Sequence, residues 1–159
     1  MPYYKDFSTC DYFGPSDSTL VSIGWLAAEQ PDYSRGPVST EFFDSLMRLL
    51  ADPWQPAGMQ PAVTAGIQRC FACRFTGGPA ELHYAGATVK VGSVNLFVPA
   101  GDFAFVAPSM IAHYIDAHDY APPPEFQRAV ISCPATRSIA YLKQIRKLGL
   151  HKLSIRLES

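Results

Sequence analysis

The chain has 159 residues, 48% of them hydrophobic and 17% charged, which fits one folded domain and excludes an intrinsically disordered one. A net charge of −1 gives no general attraction to nucleic acid or acidic membrane. There is no charged start followed by an apolar stretch and no run approaching about 18 apolar residues, so neither a signal peptide nor a membrane span is expected. These features predict a cytoplasmic protein. In that reducing compartment the four cysteines are expected as thiols or metal ligands rather than disulfides.

The first residues are rich in aromatics: Tyr3, Tyr4, Phe7, Tyr12 and Phe13, broken by Gly14 and Pro15. They read as a packed irregular arm. Residues 19–26 are apolar and partly β-branched, a strand candidate. After Pro31, Gly36 and Pro37, Ser39 stands at an N-cap position. Glu41 follows in the first turn, and Phe42, Phe43, Leu46, Met47, Leu49 and Leu50 recur at helical spacing. Pro53, Pro56, Gly58 and Pro61 then predict a loop.

From residue 63 short apolar runs at 67–75, 80–84, 88–91, 94–98 and 103–106 alternate with glycine and proline turns, the pattern of an antiparallel meander. Pro108 suits the first turn of a helix running through Ile111, His113, Ile115 and His118, with Pro122 to Pro124 stopping it. Residues 125–132 resume as a short helix. Residues 138–148 form a last amphipathic one through Ile139, Leu142, Ile145 and Leu148. The expected architecture is a single α+β domain over residues 1–159, a meander sheet covered by helices on one face. Within it, residues 134–159 form a basic amphipathic helix and tail.

The most informative pattern is Cys70-x-x-Cys73, answered some forty residues later by His113 and His118. Zinc prefers thiolate and imidazole donors, and a cysteine turn plus a histidine helix supplies two ligands each to a tetrahedral ion. An unmetallated thiol pair and a redox pair are the rival readings. A redox pair usually stands at a helix N-terminus, where the dipole stabilises a thiolate. Here Cys73 is followed by Arg74, Phe75, Thr76 and two glycines, which reads as a knuckle-like turn. The two histidines lie about 140° apart round an ideal helix, so a shared ion requires the last turn to tighten or loosen near Ala117. Cys10 and Cys133 read as isolated buried thiols.

Gly24-Trp25-Leu26, the cysteine pair, and Ala107-Pro108 with His113-Tyr114, His118, Tyr120, Pro122-Pro123, Glu125-Phe126 and Ala129-Val130 resemble a family of small, uncharacterised bacterial cytoplasmic proteins. The resemblance runs to about Ile131. It implies a bacterial origin and a metal site at Cys70, Cys73, His113 and His118, but no activity. Relatives often carry a histidine where this chain has Gln68. They also lack the tail, in which Arg137, Lys143, Arg146, Lys147, Lys152 and Arg156 oppose one acid, Glu158.

No nucleophile elbow, phosphate loop or His-Glu-x-x-His helix is present in the sequence. Asp116 and Asp119 flank the histidines as candidate imidazole partners or bases, with surface roles the simpler reading. His83 stands alone in a strand. The function expected is therefore a protein-binding module held together by structural zinc, with no catalytic residues and no other cofactor. One form of it would be an immunity protein neutralising a bacterial toxin. The alternatives are a zinc-dependent hydrolase or deaminase-like enzyme, and nucleic-acid binding through the basic tail.

Overall fold

A computed structural model describes residues 3–10, 19–28, 32–56, 69–73 and 75–153. Tyr12, Phe13, Gly14, Pro15, Pro31, Gly58, Pro61, Gln68, Arg74, Arg156 and Glu158, together with the first part of the run at 67–75, lie outside the described residues.

The domain is α+β. Its central sheet joins β1 (Leu20–Ser22), β4 (Asn95–Pro99) and β5 (Ala104–Pro108) in the order β1-β5-β4. β4 and β5 form an antiparallel pair, with Phe97 opposite Val106. β1 lies parallel to β5, with Val21 opposite Phe105. The other two strands, β2 (Glu81–Tyr84) and β3 (Ala87–Lys90), make a separate antiparallel hairpin. The meander thus divides into two hairpins, and the N-terminal strand adds to the far edge of β5. The described part of the run at 69–75 is turn rather than strand.

Every residue of β4 and β5 is buried. Continuous burial without alternation requires both faces of the sheet to be covered, which corrects the expectation of helices on one face only. Leu96, Val98, Phe105 and Ala107 face one core, shared with α1 (Thr40–Ala51), α2 (Ile111–His118) and α3 (Pro124–Ser132). Phe97, Ala104 and Val106 face a second, closed by Trp25 and by Tyr141 and Ile145 of α4 (Ile139–Lys147). The polar ends of the two large aromatics are satisfied on the strands themselves. Trp25 donates its indole N–H to Val106 O at 3.0 Å, and the Tyr141 hydroxyl donates to Phe97 O at 2.7 Å.

Local chemistry accounts for the helix ends. Ser39 caps α1 by accepting from the Phe42 N–H at 3.1 Å, and Ser138 does the same for α4 with Tyr141. Pro108 closes β5 instead of opening α2, whose N-cap is Met110; at that strand end a missing N–H costs no ladder bond. Pro124 starts α3, and α2 stops earlier, at Asp119 in the left-handed region. α4 turns Tyr141 and Ile145 inward and leaves Ile139 74% exposed, so its buried stripe is rotated from the expected one. The hydroxyl bond of Tyr141 to the sheet fixes that rotation. Lys143, Arg146 and Lys147 face solvent.

Part of the aromatic arm runs antiparallel along β1, bridging Tyr4 to Trp25 and Thr9 to Val21. Tyr4 meets the Trp25 ring edge-on at 5.5 Å. Asp6 accepts from the Gly24 N–H and from the Tyr120 hydroxyl, which ties the arm to the chain just beyond α2. No helix among the described residues is long and apolar enough to cross a membrane.

Candidate metal centre

Two elements carry the four predicted ligands. The first is the turn from Arg69 to Gly78. It is pinched shut by the Cys70 N–H donating to Gly77 O at 2.6 Å and the Gly77 N–H donating to Cys73 O at 2.9 Å. Cys70 is buried inside it and Cys73 is half-buried. The second is α2, with His113 buried in its first turn and His118 half-buried as its last residue.

The loosening of α2 that a shared ion requires is present. The N–H of Asp119 donates to Tyr114 O, five residues back, and the Tyr120 N–H donates to the same carbonyl at 3.1 Å. Asp119, at φ 57°, closes this wide turn. A strap from residues 33–36 holds the helix end. The Tyr33 hydroxyl donates to His118 O at 2.9 Å, Arg35 donates to the same oxygen at 3.4 Å, and the Gly36 N–H donates to Asp119 O at 3.0 Å. Phe71, within the cysteine turn, meets the Tyr33 ring edge-on at 6.3 Å and the Tyr114 ring at a tilt at 5.8 Å, and so docks the turn onto both.

The result is a cluster in which all four ligand atoms lie within 4.8 Å of one another and could hold a metal ion. Cys70 Sγ is 3.3 Å from His118 Nε2, and Cys73 Sγ is 3.4 Å from His113 Nε2 and 3.5 Å from His118 Nε2. The two imidazoles stand nearly perpendicular, at 83°, with centroids 5.0 Å apart.

Burial pushes the Cys70 thiol above its ordinary value, while the N–H groups of Ala72 and Cys73 directed at its sulfur pull the other way. Such N–H donors favour a thiolate once a cation is present. Burial also lowers His113, helped by the charge of His118 and opposed by Asp116. A neutral imidazole is the ligating form.

Asp116 and Asp119 are exposed, and among the described residues neither carboxylate hydrogen-bonds an imidazole. Asp119 acts through its backbone. His83 lies on the hairpin, against Thr88 at 3.1 Å, and takes no part in the cluster.

Sequence reasoning missed Gly78 and the strap. A Cβ on Gly78, at φ +86°, would stand 2.9 Å from Cys70 Cβ and 3.5 Å from His113 Nε2, so the cluster closes directly over this glycine. Its place five residues after Cys73 was the available signal. Tyr33 and Arg35 lie more than eighty residues from His118 in sequence and carry no local pattern.

No curated protein and no solved structure matches the chain. The model of a domain of unknown function, DUF7919, matches residues 2–131, a span that contains the cysteine turn, the strap and α2. The chain belongs to the DUF7919 family.

Proposed function

We propose that this protein is a zinc-stabilised, bacterial, cytoplasmic protein-binding module. Three sulfur–nitrogen separations in the cluster carry the metal assignment. Zinc–sulfur bonds of about 2.3 Å and zinc–nitrogen bonds of about 2.05 Å meeting at the tetrahedral angle require sulfur and nitrogen about 3.5 Å apart. Three of the four sulfur–nitrogen separations, at 3.3, 3.4 and 3.5 Å, match that edge. Two thiolates and two imidazoles fill a tetrahedral ion, which favours a structural role over a catalytic one. Cys70, Cys73, His113 and His118 would hold the zinc, and the ion would pin the cysteine turn to α2.

The support for a binding role is what the pinned turn presents. Phe75, two residues beyond Cys73, is 100% exposed. Aromatic side chains held out by a rigid loop are characteristic anchors of protein interfaces. An immunity protein that covers a toxin is one form this role would take. The test is affinity purification from cells of the source organism with wild-type protein and with Phe75→Ala. A specific partner lost in the variant supports the reading, and identical captured sets from both proteins refute it.

A further inference from the structure

A cleft of about 240 Å³ opens between the second half of α1 and the chain leaving α3. It shares no residue with the metal cluster. Buried Leu49 and Val130 give it an apolar floor, and Ile131 adds to the rim. Two guanidinium groups, Arg48 and Arg137, and one carboxylate, Asp52, complete the charged lining.

The two arginines differ in what they already hold. Arg137 forks onto Asp52, with Nε donating to Oδ2 and Nη2 to Oδ1 at 2.8 Å. The Thr136 hydroxyl, buried in the same wall, donates to Asp52 O. This clamp ties the end of α1 to the start of α4 and neutralises the one acid present. Arg48, in the last turn of α1, pairs with no acid among the described residues. The cleft is therefore prebuilt and apolar below, with one guanidinium above that has no acidic partner among the described residues.

We propose that it binds a small monocarboxylic acid, the carboxylate on Arg48 and an apolar body over Leu49 and Val130. Size limits the ligand: the cleft offers the liquid volume of about eight waters. Charge sets its class. A carboxylate matches a guanidinium through paired N–H donors. The negative end of the α1 dipole opposes a dianion about twice as strongly as a monoanion, which favours a carboxylate over a phosphate. A cation would meet Arg48 with Asp52 already engaged.

The test uses the full-length, metal-loaded protein labelled with ¹⁵N and titrated with 4-phenylbutyrate or its neutral amide. The acid is expected to shift the amides of Ser45, Leu49, Val130 and Thr136 saturably. Replacing the acid by its amide, or making Arg48→Gln, is expected to weaken binding about tenfold. Arg48 is exposed, so the variant should keep the wild-type Tm and read binding alone. Absence of saturation below about 10 mM would overturn the proposal. So would equal binding of acid and amide, or shifts centred on Cys73 and His118, which would place the carboxylate at the metal.

Discussion

Replacing Gly78 by alanine tests the proposed metal centre without touching a candidate ligand. The new Cβ meets Cys70 Cβ at 2.9 Å, below any ordinary carbon contact, and the backbone sits at φ +86°. The conformational cost alone is about 1–3 kcal/mol. Relief of the clash must move Cys70, whose sulfur lies 3.3 Å from His118 Nε2, by several tenths of an ångström. That displacement disturbs the metal geometry and should cost about 2 kcal/mol more. Gly86→Ala is the control: it has φ +81° in the β2–β3 turn and nothing within 4 Å of where its methyl group would stand, so it bears the backbone cost only. In metal-loaded protein of this size, thermal melts should place Gly78→Ala about 4–8 °C below Gly86→Ala. Competition with a chromophoric chelator should show metal affinity reduced in the first and unchanged in the second. Equal melting temperatures and equal affinities would refute the placement of Gly78 against the cluster.

Other substitutions probe the scaffold around the centre. Tyr33→Phe removes the hydroxyl held by His118 O and should lower stability by about 1 kcal/mol, measured by urea unfolding, with metal still bound at one ion per chain. Trp25→Phe leaves Val106 O without its buried indole donor and opens space in the second core; a loss of about 2–4 kcal/mol is expected from the same assay. Arg137 holds the Asp52 carboxyl below its ordinary value through its hydrogen bonds. A depressed carboxyl pKa contributes stability above the unfolded-state value of 3.8 and loses it as pH falls through the folded-state value. The pair is exposed, so the effect is small. Arg137→Gln should accordingly lower the urea midpoint slightly at pH 5, and the difference from wild type should vanish in strong acid. A difference that grows on acidification would reverse the assignment.

The Cys/His cluster was legible because a candidate metal site restricts residue type and spacing together: Cys70 and Cys73 in one tight turn, His113 and His118 on one helix. Ser39 announced α1, and the α+β class followed from apolar runs of two different periods. The parallel pairing of β1 with β5 was not legible. It joins residues more than eighty positions apart, and nothing in three residues of strand specifies direction. α4 misled for a related reason. Its apolar positions suggested Ile139 and Leu142 as the buried stripe, but the bond from the Tyr141 hydroxyl to Phe97 O rotates the helix to a different face. The strap on His118 and the closure over Gly78 are likewise tertiary facts, invisible to periodicity.

Native mass spectrometry of tag-free, full-length protein, beside a Cys73→Ser variant, tests the central claim most directly. The account predicts one zinc per wild-type chain, its loss in the variant, and a large fall in Tm both in the variant and in wild type treated with chelator. A wild-type chain that carries no metal, or one that keeps its fold and its melting temperature when the metal is removed, would contradict it.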